Sequence, residues 1–395
     1  MKITHTTEFF FPEEGGVERH IYYLAKELFA KNKGYEIDVV TSNRFHTGKV
    51  ILQKQETIEG IKIHRENAKF QKHFFTYFPD EFKTLEKINP DIVHSHAYRH
   101  PHVGIAAKYA KKHNKRMVFT PYTIFKGSAE LPLKNEIYYT LYDALTRLKI
   151  FKKVDSIIAL THFEKNMLVD RGVDEKKISV IPCGGYSFKP IQESQEKEFS
   201  VDNLKTELKD KFVIGAMSRI HPSKGIDVLI KALGEIKDED WVLLLGGKDF
   251  GVLNEYLELA KKLGILHKIH YLGFINKTKE NFYKACNLFV SPSKAEALGM
   301  TLVEAQACGV PVIGSDFGAI RETMLNEVTG FNVPYGDHKL LAEKIKLLMH
   351  DDNLRKKFAE NALKRGTQFS WQNITNCIEM VYNGEVVDFY STIRM

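Results

Sequence analysis

The chain has 395 residues, a formal net charge of +7, 43% hydrophobic residues and four cysteines. That length implies two or three domains with ample cores, and the apolar content is ordinary for a globular protein. No apolar run approaches the ~18 residues that cross a bilayer, the start MKITH lacks a signal-peptide pattern, and scattered cysteines exclude a disulfide framework, so a cytosolic, reducing compartment is expected.

The first ten residues, MKITHTTEFF, read as a strand, FPEEGGVER at 11–19 as a loop, and HIYYLAKELFAK at 20–31 as a helix with apolar residues at helical spacing. Gly15 and Gly16 lack Cβ atoms, so they allow close backbone approach to a ligand and positive φ at the mouth of that helix. For a glycine pair in isolation, an ordinary βα turn is the favoured explanation. Aromatic residues crowd 70–78 (FQKHFFTYF), and basic residues gather at 108–117 and 145–153. These patches suit an anionic membrane face or an anionic acceptor, while solvated helix faces and core aromatics explain them as well. Nucleic acid is set aside as a partner, because no nucleic-acid module is present and lysines elsewhere alternate with acids.

The string INPDIVHSHAYRHPH at 88–102 reads as a strand whose His94 and His96 project from one face. His94, His96, His100 and His102 raise the question of zinc, but the cysteines at 183, 286, 308 and 377 lie far from them, so no metal is expected. Packing or supporting hydrogen bonds account for the pair as well as a substrate contact does. After the next strand comes MVFTPYTIF at 117–125, which carries Tyr122, and VIPCGGY at 180–186 places Cys183 in a turn that a small residue fills. The polar, charged segment 186–210 reads as a linker.

Beyond it, KFVIGAMSRI reads as a strand, HPSKG as a loop and IDVLIKALGEI as an amphipathic helix, with Arg219 and Lys224 bracketing the loop. Two cations at a strand's carboxyl end, beside a helix N-terminus, suit a diphosphate: Arg chelates two oxygens and Lys adds a mobile point charge. Taken singly, such residues are more often solvated. YLGFIN at 271–276 ends another strand. At 287–316 a β-loop-α-β unit carries Glu296 and Glu304 with seven residues between them, around a helix start at Leu298, Gly299 and Met300. There the first N–H groups point outward to anionic or hydroxyl-rich ligands. The plain alternative is that Glu296 complements the helix dipole and Glu304 lies on a solvated face. Near the end, Trp371, Ile374, Ile378 and Tyr382 recur at helical spacing.

The N-terminal GGVE, the R-x4-KG and the E-x7-E, in this order along the chain, resemble the retaining glycosyltransferases of the GT-B fold, specifically glycosyltransferase family 4, also called the glycosyl transferases group 1. The resemblance covers nearly the whole chain. It implies an α/β protein with two Rossmann-like domains whose parallel sheets face across a cleft. An acceptor domain at 1–185 takes back a C-terminal helix at about 371–395, and the nucleotide-sugar donor domain spans 211–370. Residue by residue, the match implies that Arg219 and Lys224 neutralise the donor diphosphate and that Glu304 hydrogen-bonds the ribose. Glu296, with the amides of Ala297, Leu298, Gly299 and Met300, would hold hydroxyls of the transferred sugar. The base would sit near Gly273 and Phe274. The Gly15–Gly16 loop would approach the donor phosphate, and His96 would lie beside the acceptor pocket. The resemblance further implies retention, by front-face attack in which the departing diphosphate takes the acceptor proton.

Two departures stand out. Many relatives carry a histidine where this chain has Tyr122; a phenol donates a hydrogen bond but does not become a cation near neutral pH. VIPCGGY stands where relatives commonly have asparagine and a following aspartate. No D-x-D motif is evident at a strand end, so no divalent metal and no cofactor are expected beyond a UDP-, GDP- or ADP-linked donor. A saccharide or lipid-linked acceptor and a cytoplasmic, membrane-peripheral site of action complete the expectation. Two rivals remain: a sugar-nucleotide epimerase of the same architecture, with His96 and Glu296 as acid and base, and a non-catalytic nucleotide-sugar binding protein, for which Tyr122 is the one hint.

Overall fold

Strands alternating with amphipathic helices predict parallel sheets covered on both faces, and the computed structural model has two such units, Met1–Gly184 with Trp371–Ile393, and Gly185–Ser370. It describes residues 1–12, 15–45, 53–72, 75–122, 150–185, 208–275, 278–294 and 296–393. Most of the linker read at 186–210, part of the second basic run, two residues of the aromatic run and Asn276 lie outside the described residues.

The first unit runs β1 (Lys2–Thr6), α1 (Gly16–Ala30), β2 (Glu36–Ser42), β3 (Gln55–Ile58), β4 (Ile61–Glu66), β5 (Phe70–Lys72), β6 (Phe75–Tyr77), α2 (Glu81–Ile88), β7 (Ile92–His96), α3 (Pro101–His113), β8 (Arg116–Thr120), β9 (Ser156–Ala159), α4 (His162–Val169) and β10 (Ile178–Val180). Its main sheet has the order β10-β9-β8-β7-β1-β2-β4-β3, parallel except for β3. The chain builds outward from β1 on one side, then returns to build from β7 on the other. That reversal opens a crevice beyond the carboxyl ends of β1 and β7, the place where sheets of this kind bind ligands. Buried parallel strands are ordinarily runs of Val, Ile and Leu. Yet β1 and β7 bury Thr4, His5, Thr6, His94, Ser95 and His96, which marks the crevice as more than core.

Helix α1 begins at Gly16, earlier than the loop reading of 11–19 allowed. A glycine in the first turn weakens a helix by only ~1 kcal/mol, and burial of Ile21, Leu24, Ala25 and Leu28 on one face outweighs that at roughly 1.5–3 kcal/mol for each large side chain. The aromatic run divides between surface and core. Phe70 and Tyr77, in the β5–β6 hairpin, are 51% and 40% exposed, whereas Phe78 is buried.

The second unit runs β11 (Phe212–Met217), α5 (Ile226–Glu235), β12 (Trp241–Gly246), α6 (Leu253–Lys262), β13 (Ile269–Gly273), α7 (Lys279–Lys284), β14 (Leu288–Ser291), α8 (Met300–Ala307), β15 (Val312–Ser315), α9 (Gly318–Thr323), β16 (Gly330–Val333), α10 (His338–His350) and α11 (Asp352–Gln368). Its sheet is parallel throughout, in the order β13-β12-β11-β14-β15-β16. The reversal here lies between β11 and β14. Ile214, Leu243, Leu245, Leu288, Val290 and Ile313 form one face of the core beneath it.

The last helices, α12 (Trp371–Tyr382) and α13 (Phe389–Thr392), belong to the first unit. Trp371 stacks on Tyr23 with ring centroids 5.4 Å apart. Glu379 takes Lys31 at 2.5 Å and Lys33 at 2.7 Å, and Tyr35 also donates to it. No helix among the described residues is long and apolar enough to cross a membrane.

Candidate functional site

The loops after β11 and β14 share the crevice of the second unit. Lys224 closes a short 3-10 turn, Pro222–Lys224, whose start is capped by the His221 side chain accepting from the Ser223 N–H. Gly225 follows with φ 67, and a Cβ there would run into the carbonyl oxygen of Pro292, so glycine is required at this point of the R-x4-KG string. The Lys294 N–H donates to the Ser223 carbonyl at 2.9 Å, which ties the two loops together.

That arrangement brings the Nζ of Lys224 to 2.6 Å from Oε1 of Glu296, which also accepts from the Ser293 hydroxyl at 2.9 Å. The two side chains are 10% and 19% exposed, so the pair sits well inside the loops. Arg219 is exposed and lies over the Phe250 ring, 5.7 Å from its centroid, apart from this pair. Burial first, then the charges of Arg219 and Lys224, hold the His221 imidazole below its ordinary pKa. The loop after β11 is thus electropositive at the spot where a diphosphate is expected.

Glu304 lies in α8 and is 6% exposed, which removes the reading of a solvated face. Lys279 Nζ approaches its two oxygens at 3.1 and 3.2 Å, and the Tyr283 hydroxyl donates to Oε2 at 2.6 Å. Burial, then the charge of Glu304, pushes the Tyr283 phenol well above its usual pKa, so it remains a donor. Lys279 and Tyr283 are one turn apart on α7 and reach Glu304 from one face. Sequence reading missed both, since the only signal is their i, i+4 spacing ahead of a strand.

Gly299 is the N-cap of α8, with φ 87, and no side chain caps that end. The amides from Ala297 to Met300 therefore flank a helix start whose first N–H groups are open to a ligand. Leu298 is buried and its carbonyl accepts from Thr323. Gly273 has φ 70 with open space around it, and the neighbouring Phe274 is 55% exposed. Gly273 is fixed by its carbonyl, which accepts from the Gly247 N–H at 2.7 Å.

In the crevice of the first unit, His5 and His96 face each other, His5 Nδ1 to His96 Nε2 at 2.9 Å, and His96 Nδ1 lies 3.2 Å from the Tyr122 hydroxyl. His94 contacts the Tyr382 hydroxyl at 2.7 Å and the Thr120 hydroxyl at 2.8 Å. Burial, reinforced by neighbouring imidazoles, keeps His94 and His96 well below the usual histidine pKa, and burial takes His5 and His20 down to about 3. The cluster is neutral at pH 7 and works by hydrogen bonding.

The four-histidine grouping considered for zinc does not form. His100 pairs with Glu8 at 2.6 Å, and His102 donates from Nε2 to the His96 carbonyl at 2.8 Å. Instead His5 joins His94 and His96, with one nitrogen of each within 4.8 Å of the others. The hydroxyl and imidazole partners named above serve every nitrogen of these three rings except His5 Nε2. His5 is opposite His94 in the β1–β7 register, a relationship that sequence reading missed although a histidine in a central buried strand signals it.

The glycine pair is corrected as well. Gly15 caps α1 in an extended conformation, φ −132 and ψ −173, and Gly16 is helical. Neither adopts positive φ, because a helix that starts at Gly16 needs an extended N-cap rather than a left-handed one. A Cβ at Gly15 would meet the Glu18 carboxylate, while the space beside Gly16 is open.

Comparison with known proteins agrees along the chain. Residues 14–184 match the model described as Glycosyltransferase Family 4, and residues 198–365 match that described as Glycosyl transferases group 1. Over 377 residues the chain is 29% identical to the capsular polysaccharide biosynthesis glycosyltransferase CapM of Staphylococcus aureus, covering 90% of this chain and 91% of the relative. It is 29% identical over 298 residues to the N,N'-diacetylbacillosaminyl-diphospho-undecaprenol alpha-1,3-N-acetylgalactosaminyltransferase of Campylobacter jejuni, 73% of this chain and 75% of that one. The structure of Anabaena HepE in complex with UDP is similar at a TM-score of 0.77 and 20% identity, with 98% and 100% of the two chains covered. With both halves matched and mostly parallel sheets in two units, the chain belongs to glycosyltransferase family 4 and has the GT-B fold.

Proposed function

We propose that this glycosyltransferase moves a hexose-type sugar from a nucleoside-diphosphate sugar to a hydroxyl of a saccharide or lipid-linked acceptor, with retention and without a divalent metal. The observation that carries this reading is the Lys224–Glu296 pair at the reversal point of the second sheet. A cation and a carboxylate held together can each turn to a different part of one ligand, Lys224 to the diphosphate and Glu296 to sugar hydroxyls. Arg219, exposed on the same loop, adds the second positive charge. As the sugar–phosphate bond breaks, negative charge grows on the diphosphate, and stabilising charge where it develops is usually the largest catalytic term. Glu304 then takes the ribose hydroxyls, and Gly273 with Phe274 forms the seat of the base.

The relatives' names favour an envelope role: one acts in capsular polysaccharide biosynthesis and another carries a diphospho-undecaprenol acceptor in its name. A lipid-linked acceptor suits work at the inner face of a membrane, where exposed Phe70 and Tyr77 would meet the interface. Flotation with anionic and with neutral vesicles tests this placement; equal absence from both removes it.

The central test is calorimetric and thermal-shift binding of UDP, GDP and ADP and their common sugars to the wild type, Lys224→Ala and Glu304→Ala. Stabilisation by one nucleotide that is lost in Lys224→Ala supports the donor site and names the base. No binding by any nucleotide in folded protein removes the transferase reading. Conversion of donor to an isomer without acceptor replaces it with an epimerase.

A further inference from the structure

The chain of contacts from His5 through His96 to Tyr122 has a direction that the structure allows to be read. Each neutral imidazole carries one N–H and one lone pair, so fixing one proton fixes the rest. If Tyr122 donated to His96 Nδ1, His96 Nε2–H would donate to His5 Nδ1, and the His5 proton would sit on Nε2. That nitrogen is buried without a partner among the described residues. A buried N–H with no acceptor is less common in folded proteins than an unused acceptor. The reverse direction leaves only a lone pair idle at His5 Nε2. His5 Nδ1–H then donates to His96 Nε2, and His96 Nδ1–H donates to the Tyr122 oxygen.

In that direction the Tyr122 proton is turned away from His96 and is free for another acceptor. Two further observations point the same way. Tyr122 has φ 50, a left-handed conformation that a bulky side chain rarely adopts, and such backbone outliers cluster at ligand sites where the surroundings hold them in place. Burial, with the nearby charges of Glu164 and Glu18 among the lesser causes, keeps the phenol protonated well past its ordinary pKa, so it is a donor throughout the working range.

We infer that His5 is a positioning residue which, through the tautomer of His96, aims the hydroxyl proton of Tyr122 at a substrate oxygen. This rests on the proposed transferase reading for what the substrate is, a sugar or acceptor hydroxyl, but not for the direction of the relay. It also explains how a phenol stands where relatives keep a histidine: the donor function is retained and the cationic one is given up.

Two arms test it. In protein with 15N-labelled histidine, long-range 1H–15N correlation reads each ring's tautomer without any ligand, with assignments from His5→Asn and His96→Gln. The relay requires Nδ1–H at both His5 and His96; Nε2–H at His96 overturns it. The second arm follows turnover of UDP-glucose, or of whichever nucleotide sugar the binding panel identifies. Tyr122→Phe and His5→Leu should each lower kcat about tenfold with little change in KM, the double variant should be no worse than either, and His5→Asn, whose amide can replace the Nδ1–H donor, should recover most of the loss. Independent, multiplying losses in His5→Leu and Tyr122→Phe overturn the relay. Correct tautomers with no turnover of any nucleotide sugar would retire the transferase reading and leave the relay standing.

Discussion

Lys224 and Glu296 are 72 residues apart in sequence, and their charged atoms are 2.6 Å apart across two loops of one crevice. Each is the other's counter-ion in the free protein. On the proposed reading, a donor diphosphate, with roughly two negative charges at neutral pH, draws Lys224 away and releases Glu296 for sugar hydroxyls.

Removing one partner should therefore be worse than removing both. Lys224→Ala leaves Glu296 without its cation and should weaken UDP binding at least tenfold, since a hydrogen bond to a charged group is worth roughly 1.5–3 kcal/mol. Lys224→Met combined with Glu296→Gln should regain thermal stability over Lys224→Ala without regaining UDP affinity. Calorimetry and thermal melts on the wild type and these two variants decide this. UDP affinity unchanged in Lys224→Ala would detach the pair from the donor site.

Glu304 is in the same position with respect to Lys279. Its side chain is 8% exposed and already holds Lys279 and Tyr283, so on the proposed reading the ribose hydroxyls share or displace the lysine. Lys279→Met should lower stability by about 1–3 kcal/mol, because a nearly buried carboxylate loses its cation. Saturating UDP should raise the melting temperature of this variant by more than it raises that of the wild type. Weaker UDP binding in Lys279→Met would show instead that the lysine touches the nucleotide itself.

These cases show which parts of the site were legible. R-x4-KG and E-x7-E are local strings around strand ends, and a strand end in an alternating βα chain fixes which way its side chains and helix start point, so Arg219, Lys224, Glu296 and Glu304 could be singled out. Lys279 and Tyr283 could not, because their contact with Glu304 depends on how α7 packs against α8. His5 meets His96 across 91 residues of sequence, a matter of sheet order and register that no local string encodes. The glycine pair misled for the opposite reason. Gly-Gly suggested a left-handed mouth, but the apolar face of α1 extends the helix back to Gly16.

Acid should loosen the first unit in a window set by its buried imidazoles. Burial lowers His5, His20 and His102 from 6.5 to about 3, with neighbouring His20 and His100 adding to the effect at His5 and His102. The folded state disfavours the charged form, so the unfolded chain binds protons first. Stability from these groups is complete above pH 6.5 and falls as pH drops from 6.5 toward 3, by roughly 1 kcal/mol per pH unit for each imidazole. Glu379, where the Lys31, Lys33 and Tyr35 contacts outweigh burial and bring the carboxyl to about 2, adds its loss lower, between about 4.5 and 2. His20 packs against Trp371 at 5.3 Å, with both ring nitrogens buried and without a partner among the described residues. His20→Phe should therefore flatten the melting temperature between pH 6.5 and 4.5. An unchanged profile would mean that His20 is hydrated in solution.

Gly225 offers a backbone test of the donor loop that leaves every charged group in place. Its φ of 67 and the carbonyl oxygen of Pro292, which overlaps the place where a Cβ would lie, leave no room for a methyl group. A residue with Cβ in left-handed conformation costs roughly 1–2 kcal/mol, and the clash with backbone adds to this because Pro292 cannot swing aside as a side chain would. Gly225→Ala should shift the Pro222–Lys224 turn relative to the loop that carries Glu296. The expected result is stability lower by about 2–3 kcal/mol, with UDP affinity reduced as in Lys224→Ala although the lysine is still present. Gly264→Ala is the control: it has φ 76 with nothing within 4 Å of the added methyl, so it should incur the conformational cost alone and bind UDP as the wild type does. Equal losses of UDP affinity in both variants would show that general destabilisation, rather than the spacing between Lys224 and Glu296, accounts for the effect.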